Sequence, residues 1–295
     1  MLSLEQLSAL LEQNRTAASA RVQEFSIGGK KFTFNSQPAI MGVVNLSADS
    51  WYRESVCLSV EAAAQRGRVL AAQGAQIIDV GAESTLAHAA RIGNAAQKSK
   101  LIPVIKELRA AKILVSAETY SPTVTRASLA AGANILNLTG TAGSKEIFKM
   151  VADHDAAVII CFVAGKNVRE VGDFDLSTDS IPMLREFFAR QIELARRGGV
   201  EKIFLDPGLG FYYRNLQDSA VRVRHQMKVF LNTFRLRELG FPICHALPHA
   251  FEFFGEEVRC AEPFFAVLAA LGKTDLFRTH EVPRIKAVLE TMRMF

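Results

Sequence analysis

Residues 101–138 read LIPVIKELRAAKILVSAETYSPTVTRASLAAGANILNL and contain the alternation that decides the fold. Apolar residues recur at helical spacing over Leu101–Ala110 and again over Val124–Ala131. Each helical segment is followed by a short apolar run, at Ile113–Glu118 and at Asn134–Leu138. These runs show little polar alternation, which indicates strands buried on both faces, as in a parallel sheet covered by helices.

The same alternation extends over most of the chain. Further helical patterns cover Ala62–Ala72, Met183–Arg196 and Pro263–Leu271. The predicted strands are Ile40–Asn45, Gln76–Gly81, Ile113–Glu118, Asn134–Leu138, Ala157–Val163, Lys202–Asp206, Pro242–Ala246 and Leu276–His280. Eight strand–helix units favour a closed (β/α)8 TIM barrel, an α/β fold, over an open doubly wound sheet. No G-x-G-x-x-G motif opens a helix, which argues against a dinucleotide-binding fold.

The N-terminal residues have a different pattern. Leucines at helical spacing in residues 4–11 predict an amphipathic helix. Residues 24–34 alternate apolar and polar side chains around a Gly-Gly pair, which predicts a β-hairpin that could plug the N-terminal end of a barrel. We therefore divide the chain into an N-terminal extension, residues 1–37, and a barrel, residues 38–295.

Composition narrows the function classes. Of 295 residues, 49% are hydrophobic and 22% charged, which allows a large core, and the net charge of +5 is mild. The basic residues are spread along helices rather than clustered, so no nucleic-acid partner is expected. No apolar run approaches the roughly 18 residues of a membrane span, and the N-terminus lacks the pattern of a signal peptide. Four cysteines without C-x-x-C spacing suit a reduced, cytoplasmic location.

Polar residues collect where the predicted strands end. In TIM barrels, the carboxyl ends of the strands form the face that carries the chemistry. The polar candidates there are Asn45, Asp79, Glu83, Glu118, Asn137, Asp206, His245, His249, Arg278 and His280. Each one alone could be a structural cap or a loop anchor. Together, at one mouth, they favour a ligand site.

The segment Asp206–Phe211, with the sequence Asp-Pro-Gly-Leu-Gly-Phe, carries the clearest binding pattern. Pro207 favours an extended Asp206, and Gly208 and Gly210 allow the backbone to approach a ligand closely. A carboxylate held in this way can accept two parallel N–H bonds from a flat, guanidine-like ring edge. The alternative is that Asp206 only anchors a turn.

The segment Arg278–Val282 ends the last predicted strand. Arg278 and His280 share one face of that strand, and both can donate hydrogen bonds to phosphate-like oxygens. The region after strands seven and eight of a barrel is a frequent phosphate site. The alternative is a structural ion pair between Arg278 and a carboxylate.

In combination, these motifs resemble dihydropteroate synthases. The similarity runs from about Ile40 to the end of the chain, and the motifs occur in the family's order. The matching segments are Met41–Trp51, Ile77–Thr85, Ser116–Tyr120, Asn137, Asp206–Phe211 and Arg278–Val282.

The resemblance implies a pterin-binding barrel of folate biosynthesis. Such enzymes join 6-hydroxymethyl-7,8-dihydropterin diphosphate to 4-aminobenzoate and release diphosphate, with magnesium as cofactor. The implied partners are thus a pterin and an anionic leaving group, with a homodimer suggested by analogy alone. The implied pterin-binding residues are Glu118, Asn137, Asp206, Gly208 and Phe211. The implied catalytic residues are Asn45, Asp49, Thr85, Arg278 and His280, with Asn45 near the magnesium ion and Asp49 and Thr85 on loops that close over the reacting carbon.

The chain departs from the family on the acceptor side and on the pterin side. The family's Ser-Arg-Lys on strand seven, whose lysine contacts the pterin and whose serine and arginine help place the aminobenzoate, is absent: Cys244-His245-Ala246-Leu247-Pro248-His249 stands there, and the arginine of the second loop is Leu86. The third-strand aspartate has become Glu118. The loss of the Ser-Arg-Lys motif and of the loop arginine predicts an acceptor that is not ordinary 4-aminobenzoate, or one bound in an unusual way.

Two features bear on the surroundings of the acceptor. Phe162, Phe251, Phe253 and Phe254 are predicted to make its neighbourhood apolar. The alternative is that these aromatic residues belong to the core and that Arg91 replaces the missing arginine.

Other classes of function stay open. A metal-dependent hydrolase could use His245, His249 and His280 with Glu118 or Asp206, although no H-E-x-x-H motif supports it. A non-catalytic pterin-binding protein is also compatible, because a fold alone does not fix chemistry. Corrinoid-linked methyltetrahydrofolate methyltransferases resemble this barrel too, but Arg278–Val282 fits the synthases better.

Overall fold

The N-terminal part of the protein forms two helices and a short antiparallel hairpin. A computed structural model describes residues 2–50, 52–84, 89, 91–174, 179–211, 213 and 215–295. The first elements are α1 (Leu4–Gln13), α2 (Arg15–Ala18), β1 (Ser26–Ile27) and β2 (Lys30–Lys31). Helix α1 begins at Ser3 with a reciprocal cap: the Gln6 amide donates to Ser3 Oγ at 3.3 Å, and the Ser3 amide donates to Gln6 Oε1 at 3.1 Å.

Eight parallel strands form the barrel and confirm the predicted fold class. They are β3 (Ala39–Asn45), β4 (Ile77–Gly81), β5 (Val115–Thr119), β6 (Ile135–Leu138), β7 (Ala157–Cys161), β8 (Ile203–Asp206), β9 (Cys244–Ala246) and β10 (Leu276–Thr279). The strand order is β8-β7-β6-β5-β4-β3-β10-β9. A parallel bridge between Leu205 and Ile243 joins β8 to β9, with the Leu205 amide donating to the Pro242 carbonyl at 3.0 Å. This bridge closes the sheet on itself.

Helices connect the strands and cover the outside of the barrel. They are α3 (Val60–Ala72), α4 (Asn94–Ala110), α5 (Pro122–Ala130), α6 (Ser144–Asp153), α7 (Ser180–Arg197), α8 (Ser219–Asn232), α9 (Phe251–Phe254), α10 (Ala261–Leu271) and α11 (Val282–Met292). Short 3-10 helices occupy Arg53–Ser55, Thr233–Leu239 and Gly255–Cys260. No helix in the described part of the chain is both long and apolar enough to cross a membrane.

The strands bury both faces, as the unbroken apolar runs predict. Met41 and Ile159 belong to a cluster inside the barrel. Val44 and Ile160 belong to a second cluster between the strands and the helices. Because side chains alternate along a strand, every second residue of each strand is available to the barrel interior.

The hairpin plugs the N-terminal end of the barrel, as predicted from its sequence. Phe34 and Phe25 each meet Phe204 of β8 edge to face, at ring-centroid distances of 5.3 and 5.2 Å. Arg237 fastens this extension, because its guanidinium pairs with Asp275 at 3.1 Å and donates to the Ala20 carbonyl at 3.0 Å. A ligand must therefore enter the barrel from the C-terminal end.

Replacing Phe34 by alanine should destabilise the protein by about 3–5 kcal/mol, the usual cost of removing a buried aromatic side chain. Phe34 is only 4% exposed and packs against Phe204, so the change leaves a cavity at the barrel floor. Urea unfolding followed by circular dichroism measures the effect. Phe253→Ala is the matched control, because that ring is 60% exposed. Equal losses in both variants would show that the hairpin does not seal the core.

Candidate active site

A cleft lies at the C-terminal ends of the barrel strands and contains most of the predicted site. The predicted residues that line it are Asn45, Glu118, Asn137, Asp206, Gly208, Phe211, Arg278 and His280. Other residues of the lining are Tyr52, Glu83, Cys161, Arg222, Gln226, Ala246 and His249. The structure thus brings together residues that lie far apart in the chain.

The floor of the cleft is an ion-pair network centred on Asp79. This buried carboxylate accepts hydrogen bonds from Ser116 Oγ at 2.6 Å, Asn137 Nδ2 at 3.0 Å and Arg278 Nε at 2.7 Å. The same guanidinium donates from Nη2 to Glu118 Oε2 at 2.5 Å. The structural pair considered for Arg278 is therefore present, and it fixes the arginine across the floor.

The described floor contains one cationic side chain, Arg278, and three carboxylic acids, Asp79, Glu118 and Asp206. Burial raises the pKa of Glu118 to about 7, even though the charge of Arg278 opposes the shift. Burial also raises the pKa of Asp206 to about 6, against the lowering effect of the Gly208 amide and of Arg278. Burial would lower the pKa of Arg278, but Asp79 and Glu118 hold it well above its ordinary value. Near neutral pH the floor can therefore take up or release a proton on the acids.

Asp206 is held by the turn that follows β8. The Gly208 amide donates to Asp206 Oδ1 at 2.8 Å. Among the described residues, none donates a hydrogen bond to the second oxygen, Oδ2. Gly208 has φ of 75°, and a Cβ at this position would lie 2.3 Å from the Phe162 carbonyl oxygen. Only glycine fits there, so the backbone can approach a ligand in the way the sequence predicts.

A second polar group lies at the ends of β3 and β10, which stand three and two strands around the barrel from β8 and Asp206. Asn45 Nδ2 donates to Ser55 Oγ at 2.6 Å and lies 3.5 Å from His280 Nε2. This orientation leaves the amide oxygen of Asn45 as an acceptor or metal ligand. The other ring nitrogen of His280, Nδ1, lies 2.8 Å from Glu262 Oε1. Burial lowers the pKa of His280, although Glu262 counteracts the shift.

The two predicted loop residues are not part of this arrangement. Asp49 is exposed on the loop after β3, and it is absent from the cleft lining over the described residues. Its carbonyl oxygen accepts a hydrogen bond from Ser84 Oγ at 3.2 Å, which ties that loop to the one after β4. Thr85 lies outside the described residues. The catalytic roles of both stay predictions.

The comparison with protein families identifies the cleft. The model of the pterin binding enzymes matches residues 41–246, well over half of the chain, and spans β3 to β9. The chain belongs to the pterin-binding enzyme family. Its matched region supplies nearly all of the cleft floor.

Relatives narrow the family to dihydropteroate synthases, as the resemblance implies. The synthase of Synechocystis sp. is 29% identical over 273 residues, covering 87% of this chain and 89% of the relative. That of Streptococcus pyogenes is 30% identical over 264 residues, covering 85% and 93%. The solved Xanthomonas albilineans dihydropteroate synthase with 4-aminobenzoic acid is 27% identical, with a TM-score of 0.76 over 92% of this chain and 97% of that one. These likenesses support a pterin-binding transferase of folate biosynthesis.

Within this family member, His245 does not face the cleft. Its Nε2 lies 2.7 Å from Thr233 Oγ1, and its ring meets Phe230 at a centroid distance of 4.8 Å. It is fully buried between the barrel and α8, and burial lowers its pKa to about 3. The expectation that His245 supplies a metal ligand at the site is therefore wrong. The reason is strand alternation, since the neighbours Cys244 and Ala246 take the inward positions.

None of the four predicted phenylalanines belongs to the cleft lining over the described residues, although Phe251 stacks on His249 of that lining at a centroid distance of 5.4 Å. Phe162 packs in the core against Phe174 and Phe187, at centroid distances of 5.6 and 4.9 Å. Phe253 is exposed, and no phenylalanine of α9 is found in the lining of the cleft as far as the chain is described. Arg91 pairs with Glu170 at 3.6 Å and is 62% exposed. It therefore lies outside the described cleft lining and does not replace the missing arginine there.

His245 should make the fold sensitive to acid. Its folded pKa, about 3, lies below the ordinary 6.5, so the stability it contributes is present above pH 6.5 and lost as pH falls towards 3. Between pH 7 and pH 5 the loss should be about 2 kcal/mol. His245→Gln keeps a partner for Thr233 and should remove that part of the pH dependence. Urea unfolding at several pH values measures it, with the exposed His154→Gln as control; an unchanged slope in the His245 variant would refute the assignment.

Glu262 and Tyr52 are not among the residues predicted from the sequence, and Asp79 is predicted there only as a polar strand-end residue. Asp79 stands inside the apolar run of β4, where a charged residue needs a partner. Glu262 is the one acidic residue within the apolar helix α10 and is fully buried. Tyr52 stacks on His280 at 4.7 Å and donates to Glu281. For Asp79 and Glu262, a charged residue within an apolar segment is the sequence signal that indicates a buried polar site.

Proposed function

We propose that this pterin-binding enzyme joins a hydroxymethyl-dihydropterin diphosphate to an amine acceptor that differs from ordinary 4-aminobenzoate. The observation that carries the proposal is the pairing of a partly retained pterin-type floor, in which Glu118 stands in place of the family's aspartate, with a strand β9 that brings no cation to the cleft. The floor is formed by Asp206, Asn137 and the Asp79–Arg278–Glu118 network. Strand β9 contributes Cys244, His245 and Ala246.

Asp206 and Asn137 would bind the pterin ring. The edge of a pterin offers an amino group and a ring N–H side by side, and Asp206 can accept both. Each charge-assisted bond is worth roughly 1.5–3 kcal/mol. Asn137 is fixed in orientation, because Nδ2 donates to Asp79 and Oδ1 accepts from Cys161 Sγ at 3.2 Å. Gly208 leaves room for the ring, with Phe211 beside it.

Asn45 and His280 would hold the diphosphate. They line the same cleft as Asp206 and stand on strand ends three and two places around the barrel from it, which suits a ligand that reaches from one group to the other. The amide oxygen of Asn45, which accepts no hydrogen bond from the described residues, is a suitable ligand for Mg²⁺, which prefers few protein oxygens together with phosphate oxygens. When bound, Mg²⁺ would neutralise the charge of the leaving diphosphate. His280 gives its Nδ1–H to Glu262, so it can donate a second ring N–H to an anionic oxygen when the ring is protonated.

In the proposed reaction, the amine nitrogen attacks the methylene carbon of the pterin. The new C–N bond forms as the C–O bond to diphosphate breaks, the diphosphate leaves with the electron pair, and the amine gives a proton to solvent. The contribution of the protein is orientation, because the floor fixes the ring and His280 binds the departing oxygen. Arg278, fixed across the floor, keeps Glu118 and Asp79 in place.

The nature of the acceptor is inferred from the absence of a cationic side chain on β9. A carboxylate such as that of 4-aminobenzoate needs a cationic or N–H-rich partner at its far end. On β9 the side chain of Ala246 lines the cleft, and His245 is turned away from it. Arg222 also lines the cleft, but its guanidinium is engaged by Glu252 at 2.7 Å and by the Leu216 carbonyl at 3.1 Å. A less charged aromatic amine therefore fits this side of the cleft better.

A side-by-side turnover assay tests the proposal. The purified protein and the Streptococcus pyogenes synthase receive the same pterin diphosphate with 4-aminobenzoate, or with uncharged aromatic amines. We expect this protein to use an uncharged amine faster than 4-aminobenzoate, and the control to show the reverse. Turnover of 4-aminobenzoate at an ordinary rate of about 1 per second or more would contradict the altered acceptor. Tight pterin binding without turnover of any amine would favour a non-catalytic pterin-binding protein.

A further inference from the structure

A cluster of metal-ligating side chains lies beside the pterin-binding floor and has no part in the reaction described above except through His280. The His–Glu–His cluster comprises His249, Glu262 and His280, and one ligand atom from each lies within 4.8 Å of the others. His249 follows β9, His280 follows β10, and Glu262 opens α10. Glu262 is fully buried between the two rings.

Two of the three distances within the cluster are close to those of a tetrahedral metal site, and all three are within 4.8 Å. Glu262 Oε1 lies 2.8 Å from His280 Nδ1 and 3.2 Å from His249 Nε2. Zinc binds histidine nitrogen and carboxylate oxygen at about 2.0–2.2 Å, so neighbouring ligand atoms of a tetrahedron lie about 3.3 Å apart. Small side-chain adjustments would therefore enclose an ion.

His249 is the member that most needs a partner. Its Nε2 is buried and, over the described residues, makes no aligned hydrogen bond, although Glu262 Oε1 is only 3.2 Å away. The contact is thus a close approach with poor hydrogen-bond alignment. A buried ring nitrogen of this kind gains a partner when a metal ion binds.

The surroundings hold the ligands in place. Tyr52 stacks on His280 and His249, at centroid distances of 4.7 and 5.1 Å. The Thr279 hydroxyl and the His280 amide both donate to Glu262. Partners of this kind orient metal ligands in known metal sites.

We propose that His249, Glu262 and His280 form a binding site for a divalent transition metal of the zinc class. Two imidazoles and one carboxylate suit zinc better than magnesium, and three protein ligands leave a coordination position open. Both histidines line the cleft, so that position faces the bound ligand and takes an anionic oxygen. The ion would place a positive charge near Asn45, which lies 3.5 Å from His280, where the diphosphate is proposed to bind.

Metal titration of the tag-free, chelator-treated full chain tests the site. We expect one Co²⁺ per chain with the intense visible absorption of tetrahedral cobalt, and displacement by Zn²⁺. His249→Gln and Glu262→Gln should each weaken binding by more than about 100-fold, since even outer partners of metal ligands cost 10- to 100-fold. His154→Gln, on the exposed end of α6, is the matched control and should bind as the unchanged protein does.

Two results would overturn the site: no saturable Co²⁺ or Zn²⁺ binding, or unchanged affinity in His249→Gln. The loop position of His249 makes that variant the safer one to fold, which circular dichroism verifies. The titration contains neither pterin nor amine. Failure of the metal site therefore leaves the proposed transfer reaction untouched, and failure of the reaction leaves the site untouched.

Discussion

Arg278→Ala should abolish tight pterin binding and also destabilise the protein by about 3–5 kcal/mol at neutral pH. That is the usual cost of removing one partner from a buried ion pair. Arg278 is the cation between Asp79 and Glu118, at 2.7 and 2.5 Å, and its charge also acts on Asp206. Without it the carboxylates repel one another where the ring would lie. Calorimetric titration with a pterin should show an affinity loss of about 100-fold or more, equivalent to two charge-assisted bonds.

The effect of Arg278→Ala should depend on pH in a defined direction. The raised pKa values of Glu118, about 7, and Asp206, about 6, mean that both acids become neutral as pH falls. The stability loss should therefore shrink between pH 8 and pH 5. Arg68→Ala is the control, since its pair with Glu107 at 3.2 Å is at the surface and should be worth less than about 1 kcal/mol. Unchanged stability and unchanged pterin affinity in the Arg278 variant would show that the floor does not depend on it.

Asp206→Asn should weaken pterin binding by about 10- to 100-fold while stabilising the free protein. The affinity loss follows from exchanging a carboxylate that accepts two N–H bonds for an amide that accepts at one end only. The gain in stability follows from burial. The folded pKa of Asp206, about 6, exceeds its ordinary 3.8, so the ionised form costs stability as pH rises through 6. At pH 8 the variant should gain up to about 3 kcal/mol, and below pH 4 nothing.

Calorimetry and urea unfolding across pH 4 to 8 measure both effects. The affinity of the wild type for the pterin should rise as pH increases through about 6. In the variant this pH dependence should disappear, and only the pH dependence due to Glu118 should remain. Asp153→Asn, at the exposed end of α6, is the control and should change neither quantity. A variant that binds pterin as tightly as the wild type would show that Asp206 only anchors the turn before Gly208.

The sequence predicts the barrel well because its signals are local. Buried strands such as Ile77–Gly81 are short apolar runs, and helices such as Val60–Ala72 have a regular apolar period. The strand bounds differ by a residue or two. The predicted strand from Ala157 to Val163, for example, ends at Cys161, where its ladder with β8 ends. Such ends depend on pairing between strands rather than on the run itself.

The sequence predicts which residues line the site better than it predicts the contacts those residues make. Asp206, Asn137 and Glu118 line the cleft as expected, because strand ends of a barrel converge. Arg278 is different. Its strand position suggests a phosphate ligand that could be lost without harm to pterin binding, whereas the ion pairs with Asp79 and Glu118 now predict the loss of both. Pairing across three strands is set by tertiary distances that no local pattern records.

A crystal structure of the protein with a bound hydroxymethylpterin would show directly whether Asp206 holds the ring. We expect the ring on the barrel floor, with its amino group and ring N–H within about 3 Å of the Asp206 carboxylate, and Asn137 in contact. The side arm should point towards Asn45 and His280. A ring bound elsewhere in the cleft with Asp206 uncontacted, or no bound ring at a concentration that saturates a known synthase, would contradict this expectation.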